Sequence, residues 1–331
     1  MGEHDVFGRY GHDRLLILGW HNVEGTWCFP SRVGAGRRGL EQQFRVLRRL
    51  ANVVPLDHAL QNLSEGRPLP ARAVAITFDD GYRDTLTIAA PLLASLDLPA
   101  TVFLVPGILD GQVDPWWERL AWAFTRASVD QIDWEGERLL LGGPGARRRG
   151  SEKVGEMLKR RNRQQRELAI EQLVDLLAPS GSYLAGEMFL DWEGARELVR
   201  QGVTIGSHSM HHPILSREPV EAQQAELGES RRLLETRLRV TVRLFCYPNG
   251  TKSDYDGATI AALRTAGYTH AVTVQSGLNS HSTPAYGLHR VVMQPERGAA
   301  GLAIIARDLL RGRDSGSEAN DGRLQNSYLA S

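Results

Sequence analysis

The sequence predicts an α/β fold built on a parallel sheet, either a closed barrel or an open doubly wound sheet, interrupted by a helical insertion. Three observations lead there. Short β-rich runs recur along the chain, helix-period segments separate most of them, and one long stretch breaks the alternation. With 331 residues, 42% apolar and 24% charged, the chain has enough apolar material for one large core, so a single domain with embellishments is expected.

The first strand is LLILGW at 15–20. A helix-period segment at 40–50 leads to the short run VVPL at 53–56 and then to AVAITF at 73–78. Residues 85–96 repeat at helical spacing, and ATVFLV at 100–105 follows as the next strand. After the interruption, a helix at 191–200 precedes VTIGS at 203–207, and one at 219–238 precedes VRLFCY at 242–247. A helix at 256–266 precedes HAVTV at 270–274, and LHRVVM at 288–293 is the last strand. No repeat of fixed period is present.

Residues 106–190 depart from this rhythm. They contain the apolar WWERLAWAF, a Gly/Pro break at GGPGA and the basic SEKVGEMLKRRNRQQRELAIEQLVDLL, and are read as an inserted helical subdomain. The basic run keeps Val154, Met157, Leu158, Leu168, Leu173 and Val174 at helical spacing, which favours a solvated amphipathic face over a polyanion site. The expected organisation is an N-terminal extension at 1–13, a barrel at 14–311 carrying the insertion, and a polar, Gly/Ser-rich, disordered tail at 312–331.

Lys and Arg number 39, as do Asp and Glu, so no net charge draws the chain toward nucleic acid or anionic lipid. The start, MGEHDVFGRYGHDR, lacks the basic-then-apolar order of a signal peptide, and no run is long enough to span a membrane, so a cytoplasmic location is expected. Only Cys28 and Cys246 are present, which fits a reducing compartment. Any metal must therefore be held by histidines and carboxylates.

Chemistry concentrates where strands end. In AITFDDGYRD, an apolar strand stops at Phe78, and Asp79 and Asp80 meet a glycine that permits a tight turn. Adjacent residues leaving a strand point in different directions, so the two carboxylates can take separate tasks. In VTIGSHSMHHP, His208 and His212 stand four apart and can reach one ion, with His211 as a competing second ligand that spacing does not exclude. In LFCYPNGTKS, a strand runs into Pro-Asn-Gly, a turn able to present backbone N–H groups. An isolated histidine such as His21, at the end of LLILGW, is ordinarily core packing. If all the strands are parallel, however, His21, the aspartates, His208 and Asn249 gather at one end of the sheet, where parallel barrels hold active sites.

These residues resemble the polysaccharide deacetylases, the fourth carbohydrate esterase family, whose fold is a distorted (β/α) barrel; about seven parallel strands are then expected. TFDDG at 77–81 is similar to that family's first motif and HSMHH at 208–212 to its second. The resemblance implies Asp79 as general base, with Asp80, His208 and His212 holding one divalent metal ion, zinc first among them. ILGWHNV at 17–23 resembles the opening of members with circularly permuted motif order, which implies His21 as general acid. His289, in the late LHR, is the rival for that role. CYPNG at 246–250 departs from the family's third motif, lacking its arginine and second tyrosine. Asn249, Tyr247 and Arg290 are accordingly expected around the oxyanion and substrate, with Arg290 also a substitute for the missing arginine. The implied activity is removal of an N-acetyl group from an N-acetylated sugar, glycan or small N-acylated metabolite, releasing acetate and an amine. Hydrolysis of a non-sugar amide and metal-free glycan binding are the alternatives. Trp116 and Trp117 could stack on a sugar ring, but their helical spacing favours packing.

Overall fold

The computed structural model describes residues 12–303. The expected tail at 312–331, and residues 1–11 of the expected extension, lie outside the described residues. The strands are β1 (Leu15–Trp20), β2 (Asn52–Val53), β3 (Ala73–Phe78), β4 (Ala100–Leu104), β5 (Gln131–Trp134), β6 (Glu137–Leu140), β7 (Thr204–Ser207), β8 (Leu244–Cys246), β9 (His270–Val272) and β10 (Val291–Val292). Seven of them form the continuous path β10-β1-β3-β4-β7-β8-β9, every pairing in it parallel, while the short β2 shares an edge of β3 with β4. One parallel bridge, Val272 to Leu288, joins β9 to the chain entering β10 and links the two ends of the path. The sheet is therefore curled into the distorted barrel that the resemblance implied.

Helices α1 (Ala35–Leu50), α2 (Leu56–Ser64), α3 (Ala90–Ser95), α9 (Trp192–Arg200), α10 (Val220–Leu238) and α11 (Gly257–Ala266) make the crossovers. The helix expected at 85–96 is divided: Thr85–Ala89 is a π-helix that runs into α3. Pro91 has no N–H to return to Thr87, and a wider turn there dispenses with that bond. Among the described residues, no helix is long and apolar enough to cross a membrane.

Alternation along the strands sorts side chains into two cores. Leu16, Leu18 and Trp20 of β1, with Val74, Ile76 and Phe78 of β3, face the helical layer. Leu15, Ile17, Ala73, Ala75, Phe103, Leu244, Cys246 and Val272 face the barrel interior, where Leu56, Leu60 and Leu63 of α2 join them. A strand buried on both faces is apolar at every position, which is why LLILGW reads as an unbroken run.

Residues 106–190 hold α4 (Pro106–Leu109), α5 (Trp116–Thr125), α6 (Pro144–Leu158), α7 (Arg163–Leu177) and α8 (Ala185–Met188). They also hold something the helical reading did not include: β5 and β6 pair as an antiparallel hairpin through Glu135-Gly136, both at positive φ. The missed signal is alternation, since Ile132, Trp134 and Leu139 are buried while Gln131, Asp133 and Leu140 are exposed. The segment has its own core, including Trp116, Leu120, Phe124, Trp134, Val154, Leu158 and Leu173. Leu168, placed by spacing on the apolar face of the basic run, points outward instead and is 55% exposed.

Candidate active site

Interior-facing positions, followed to the C-terminal ends of the strands, assemble the site. Beyond Leu15 and Ile17 the same face of β1 offers Gly19 and then His21. Beyond Ala73 and Ala75, β3 offers Thr77 and then Asp79. Cys246 ends β8, and Arg290 follows Leu288 by two residues. Gly19 is required here, because a Cβ would lie 2.9 Å from both Cδ and Nη1 of Arg290. The missing side chain lets Arg290 cross β1 to reach β3.

Arg290 grips Asp79 with both arms of its guanidinium: Nη1 donates to Oδ1 and Nη2 to Oδ2, each at 2.7 Å. Both residues are buried. Burial would raise the Asp79 carboxyl, but Arg290, His208 and His21 together hold it well below the usual carboxylate range. Asp79 is thus an ionised acceptor. On its other side, His21 Nε2 lies 3.8 Å from Oδ2. Burial lowers the His21 imidazole and the Asp79 charge opposes that shift.

Asp80 leaves β3 in the left-handed region, with φ 67°. Strand alternation would turn it away from Asp79, whereas this conformation brings its carboxylate to the histidines. Oδ1 lies 3.4 Å from Nε2 of His208 and 3.4 Å from Nε2 of His212, yet it is buried without a hydrogen bond. The three donor atoms lie within 4.8 Å of one another. His208 Nδ1 donates to the Cys246 carbonyl at 2.7 Å, which assigns the proton to Nδ1 and leaves the Nε2 lone pair free toward Asp80. Burial lowers His208 to about 4 and His212 well below its ordinary value, so both imidazoles are neutral at working pH. Burial and the Asp79 and Glu118 charges push the Asp80 carboxyl well up. An orphaned carboxylate oxygen facing two neutral imidazoles fits a divalent cation, whose charge would keep Asp80 ionised. A second grouping, Asp79, His208 and Cys246, is equally compact. It suits a cation less well, because Asp79 is already bonded to Arg290 and burial holds the Cys246 thiol protonated.

Five sequence-predicted residues meet different fates. His211 turns away: its Nδ1 lies 2.6 Å from Oε1 of Glu226, whose Oε2 accepts the Met210 and His211 N–H groups. Tyr247, expected on the oxyanion and substrate face, packs into the helical layer, stacked 4.1 Å from Tyr255 with its hydroxyl donating to the Tyr286 carbonyl. The cause is parity, because Cys246 faces inward and its neighbour must face out. Arg290, expected on that same face, is instead enclosed by Asp79, Thr77, Cys246 and the Thr273 carbonyl. His289 faces away from Arg290 for the same reason as Tyr247, its ring against Gly277. Asn249 sits in the turn after β8 at φ 58°, and its N–H has no acceptor among the described residues. Asp80, Ser209, His212 and Asn249 are four of the nine described non-glycine residues at positive φ, so backbone strain gathers at this end of the barrel.

Of the residues that enclose the site, sequence reasoning singled out Trp116 and Trp117, favouring packing for them, and passed over Arg166 and Asp84. The Trp117 ring packs on His212 with centroids 4.4 Å apart, and Arg166 Nη2 donates to the His212 carbonyl at 3.2 Å. Trp116 is buried, with the Arg166 guanidinium stacked over it at 4.8 Å. Asp84 Oδ2 accepts the Val23 and Glu24 N–H groups just beyond His21.

Comparison with known proteins adds a family and a fold. The family model described as Polysaccharide deacetylase matches residues 66–136 and 144–271. The putative polysaccharide deacetylase YxkH of Bacillus subtilis (strain 168) is 29% identical over 126 residues, 38% of this chain and 43% of that protein. The poly-beta-1,6-N-acetyl-D-glucosamine N-deacetylase of Escherichia coli (strain K12) is 24% identical over 273 residues, 82% of this chain and 35% of that protein. The chain thus spans less than half the length of these curated relatives. Among solved structures, the Streptococcus pyogenes deacetylase PplD in complex with acetate aligns with TM-score 0.59 at 16% identity, over 88% of this chain and 98% of that one. IcaB from Ammonifex degensii aligns with TM-score 0.56 at 20% identity, over 90% and 98%. At such identities the structural likeness establishes a shared fold.

Proposed function

This chain belongs to the polysaccharide deacetylase family, and on that premise we propose that it removes the N-acetyl group from an N-acetylated sugar or glycan, with a divalent metal ion, zinc for preference, held by Asp80, His208 and His212. The observation that carries the reading is the side-by-side placement of two differently employed carboxylates: Asp79 clamped by Arg290, and Asp80 bare toward two neutral imidazoles.

When bound, the metal supplies Lewis-acid polarisation of the scissile carbonyl and lowers the pKa of an attacking water toward roughly 7. Asp79, ionised and oriented by Arg290, accepts the proton of that water. Each of its oxygens gives one lone-pair direction to the guanidinium and keeps another for the reaction. The developing oxyanion is met by the Asn249 N–H, a donor worth about 3 kcal/mol when aligned. His21 delivers a proton to the amine nitrogen as the C–N bond breaks. An amine leaves poorly without one, and such transfer contributes on the order of a hundredfold to ten-thousandfold. Arg290 acts through Asp79, and the buried Tyr247 ring takes no part.

The test is acetate release by the zinc-reconstituted chain from N-acetylglucosamine and its oligomers, with Asp79→Asn alongside. The expected result is release by the parent and almost none by the variant, both holding equal zinc. Undiminished release by Asp79→Asn, or silence of the zinc-loaded parent across the panel, overturns the reading.

A further inference from the structure

His21 lacks the usual device for holding a catalytic imidazole. Neither ring nitrogen makes a hydrogen bond to any described residue, and Asp79 Oδ2 is 3.8 Å away. Its ring instead lies against Phe29, centroids 5.7 Å apart and planes inclined by 29°. The placement of His21 therefore depends on what places Phe29.

Phe29 is placed by a residue from another part of the fold. Within the apolar WWERLAWAF, helix α5 carries a single acid, Glu118, fully buried. Its Oε1 accepts the hydroxyls of Thr26 and Tyr82, each at 2.7 Å, and its Oε2 accepts the Cys28 N–H at 3.0 Å. Donor directions are unambiguous. Tyr82 oxygen accepts the Trp117 indole N–H, and Thr26 Oγ1 accepts the Phe29 N–H, so both hydroxyl protons point at Glu118. The Thr26 N–H closes the turn by donating to the Phe29 carbonyl. Tyr82 in turn meets the Phe29 ring edge-on, centroids 6.5 Å apart. Glu118 thus secures both the turn that carries Phe29 and the ring that backs it.

We propose that Glu118, from within residues 106–190, is a positioning residue for His21, setting the turn at 26–29 whose Phe29 ring orients the imidazole for proton delivery. The inference rests on the deacetylase reading above. It explains a costly feature, since a buried carboxylate with fewer partners would be strongly unfavourable, and the three donors come from two separate segments. A role confined to fastening α5 to the barrel would not single out the step in which the amine leaves.

Leaving-group dependence makes the distinction. Amide cleavage needs the proton, whereas the p-nitrophenolate of p-nitrophenyl acetate departs without one. Glu118→Gln opposes its amide NH₂ to the Cys28 N–H and loosens the turn. For the zinc-loaded full chain it is expected to lower kcat on an N-acetylglucosamine oligomer by about tenfold or more, with KM within about twofold, as displacements near 1 Å do. Hydrolysis of p-nitrophenyl acetate and zinc content should stay near the parent's. Thr26→Val, which removes the hydroxyl bridging Glu118 to Phe29, should show the same split, and Thr26→Ser should restore the parent's ratio; this pair decides the matter if Glu118→Gln does not fold. A parallel fall on both substrates, or no fall on the amide, overturns the positioning role. A parent that cleaves the ester but no N-acetylated sugar overturns the deacetylase reading, and the inference with it.

Discussion

The strand ends of the barrel and residues 106–190 both contact His212, and treat it differently. From the barrel side, His212 Nε2 is turned toward Asp80 and His208. From the other side, the Trp117 ring covers its face and Arg166 bonds its carbonyl. A parallel sheet brings every strand's C-terminal end to one place, so reactive atoms accumulate there as a consequence of topology. The sheet cannot cover what it exposes. Covering falls to residues 106–190, which form their own core and touch His212 through Trp117 and Arg166. The difference teaches that the barrel supplies the reactive groups together with Arg290 and the Cys246 carbonyl that hold Asp79 and His208, while residues 106–190 add the side chains that close over His212.

Three substitutions test how sharp that division is. Asp80→Ala should have the largest effect, abolishing both metal retention through dialysis and acetate release; metal content by elemental analysis checks it. One ion per chain surviving the substitution would take ligation away from the barrel end. Trp117→Ala should come next, weakening zinc affinity by about tenfold while the chain stays folded, since groups behind a ligand commonly affect affinity by roughly 10- to 100-fold. A chelator-competition titration reads it, and unchanged affinity would reduce Trp117 to a cover. Smallest is Asp84→Asn, which concerns the barrel's own tether on the loop after His21. Burial pushes the Asp84 carboxyl up to about 6 from an ordinary 3.8, against the Val23 and Glu24 N–H groups that pull it down. With the folded value above the unfolded one, the folded chain holds the extra proton between them. The stability from this group is therefore full below the unfolded value and is lost as pH rises through about 6. Asp84→Asn does not titrate, so denaturation midpoints measured from pH 4 to 7 should show a flatter profile than the parent's; identical profiles would refute the assignment.

Much of the fold was legible because burial leaves a period in the sequence. LLILGW, AVAITF and ATVFL are almost wholly apolar, Thr77 and Thr101 apart, because both faces of each strand are buried, and all three are strands. The hairpin at 131–140 was equally periodic but was submerged in a helical context. Of the site, Asp79 with Asp80 and His208 with His212 could be read because each pair is contiguous or nearly so. Other features could not. Both His211 and His212 satisfy the spacing, and it is Glu226 on α10 that engages His211. Tyr247 looked like a substrate residue by motif, yet strand parity with Cys246 turns it into the helical layer. Glu118 did leave a trace, a lone acid in an apolar helix, but its partners lie 36 and more residues away.

By itself, the sequence determined the long strands of the barrel, most of its crossover helices and which strand ends carry reactive residue types, because hydrophobic period and turn chemistry are local properties that a chain expresses wherever it lies. Only the tertiary structure decided that Arg290 reaches Asp79 across 211 residues of chain, that Gly19 clears its path, and that Phe29 backs His21. Those pairings arise from barrel curvature and close packing, which bring together side chains that no spacing along the chain relates.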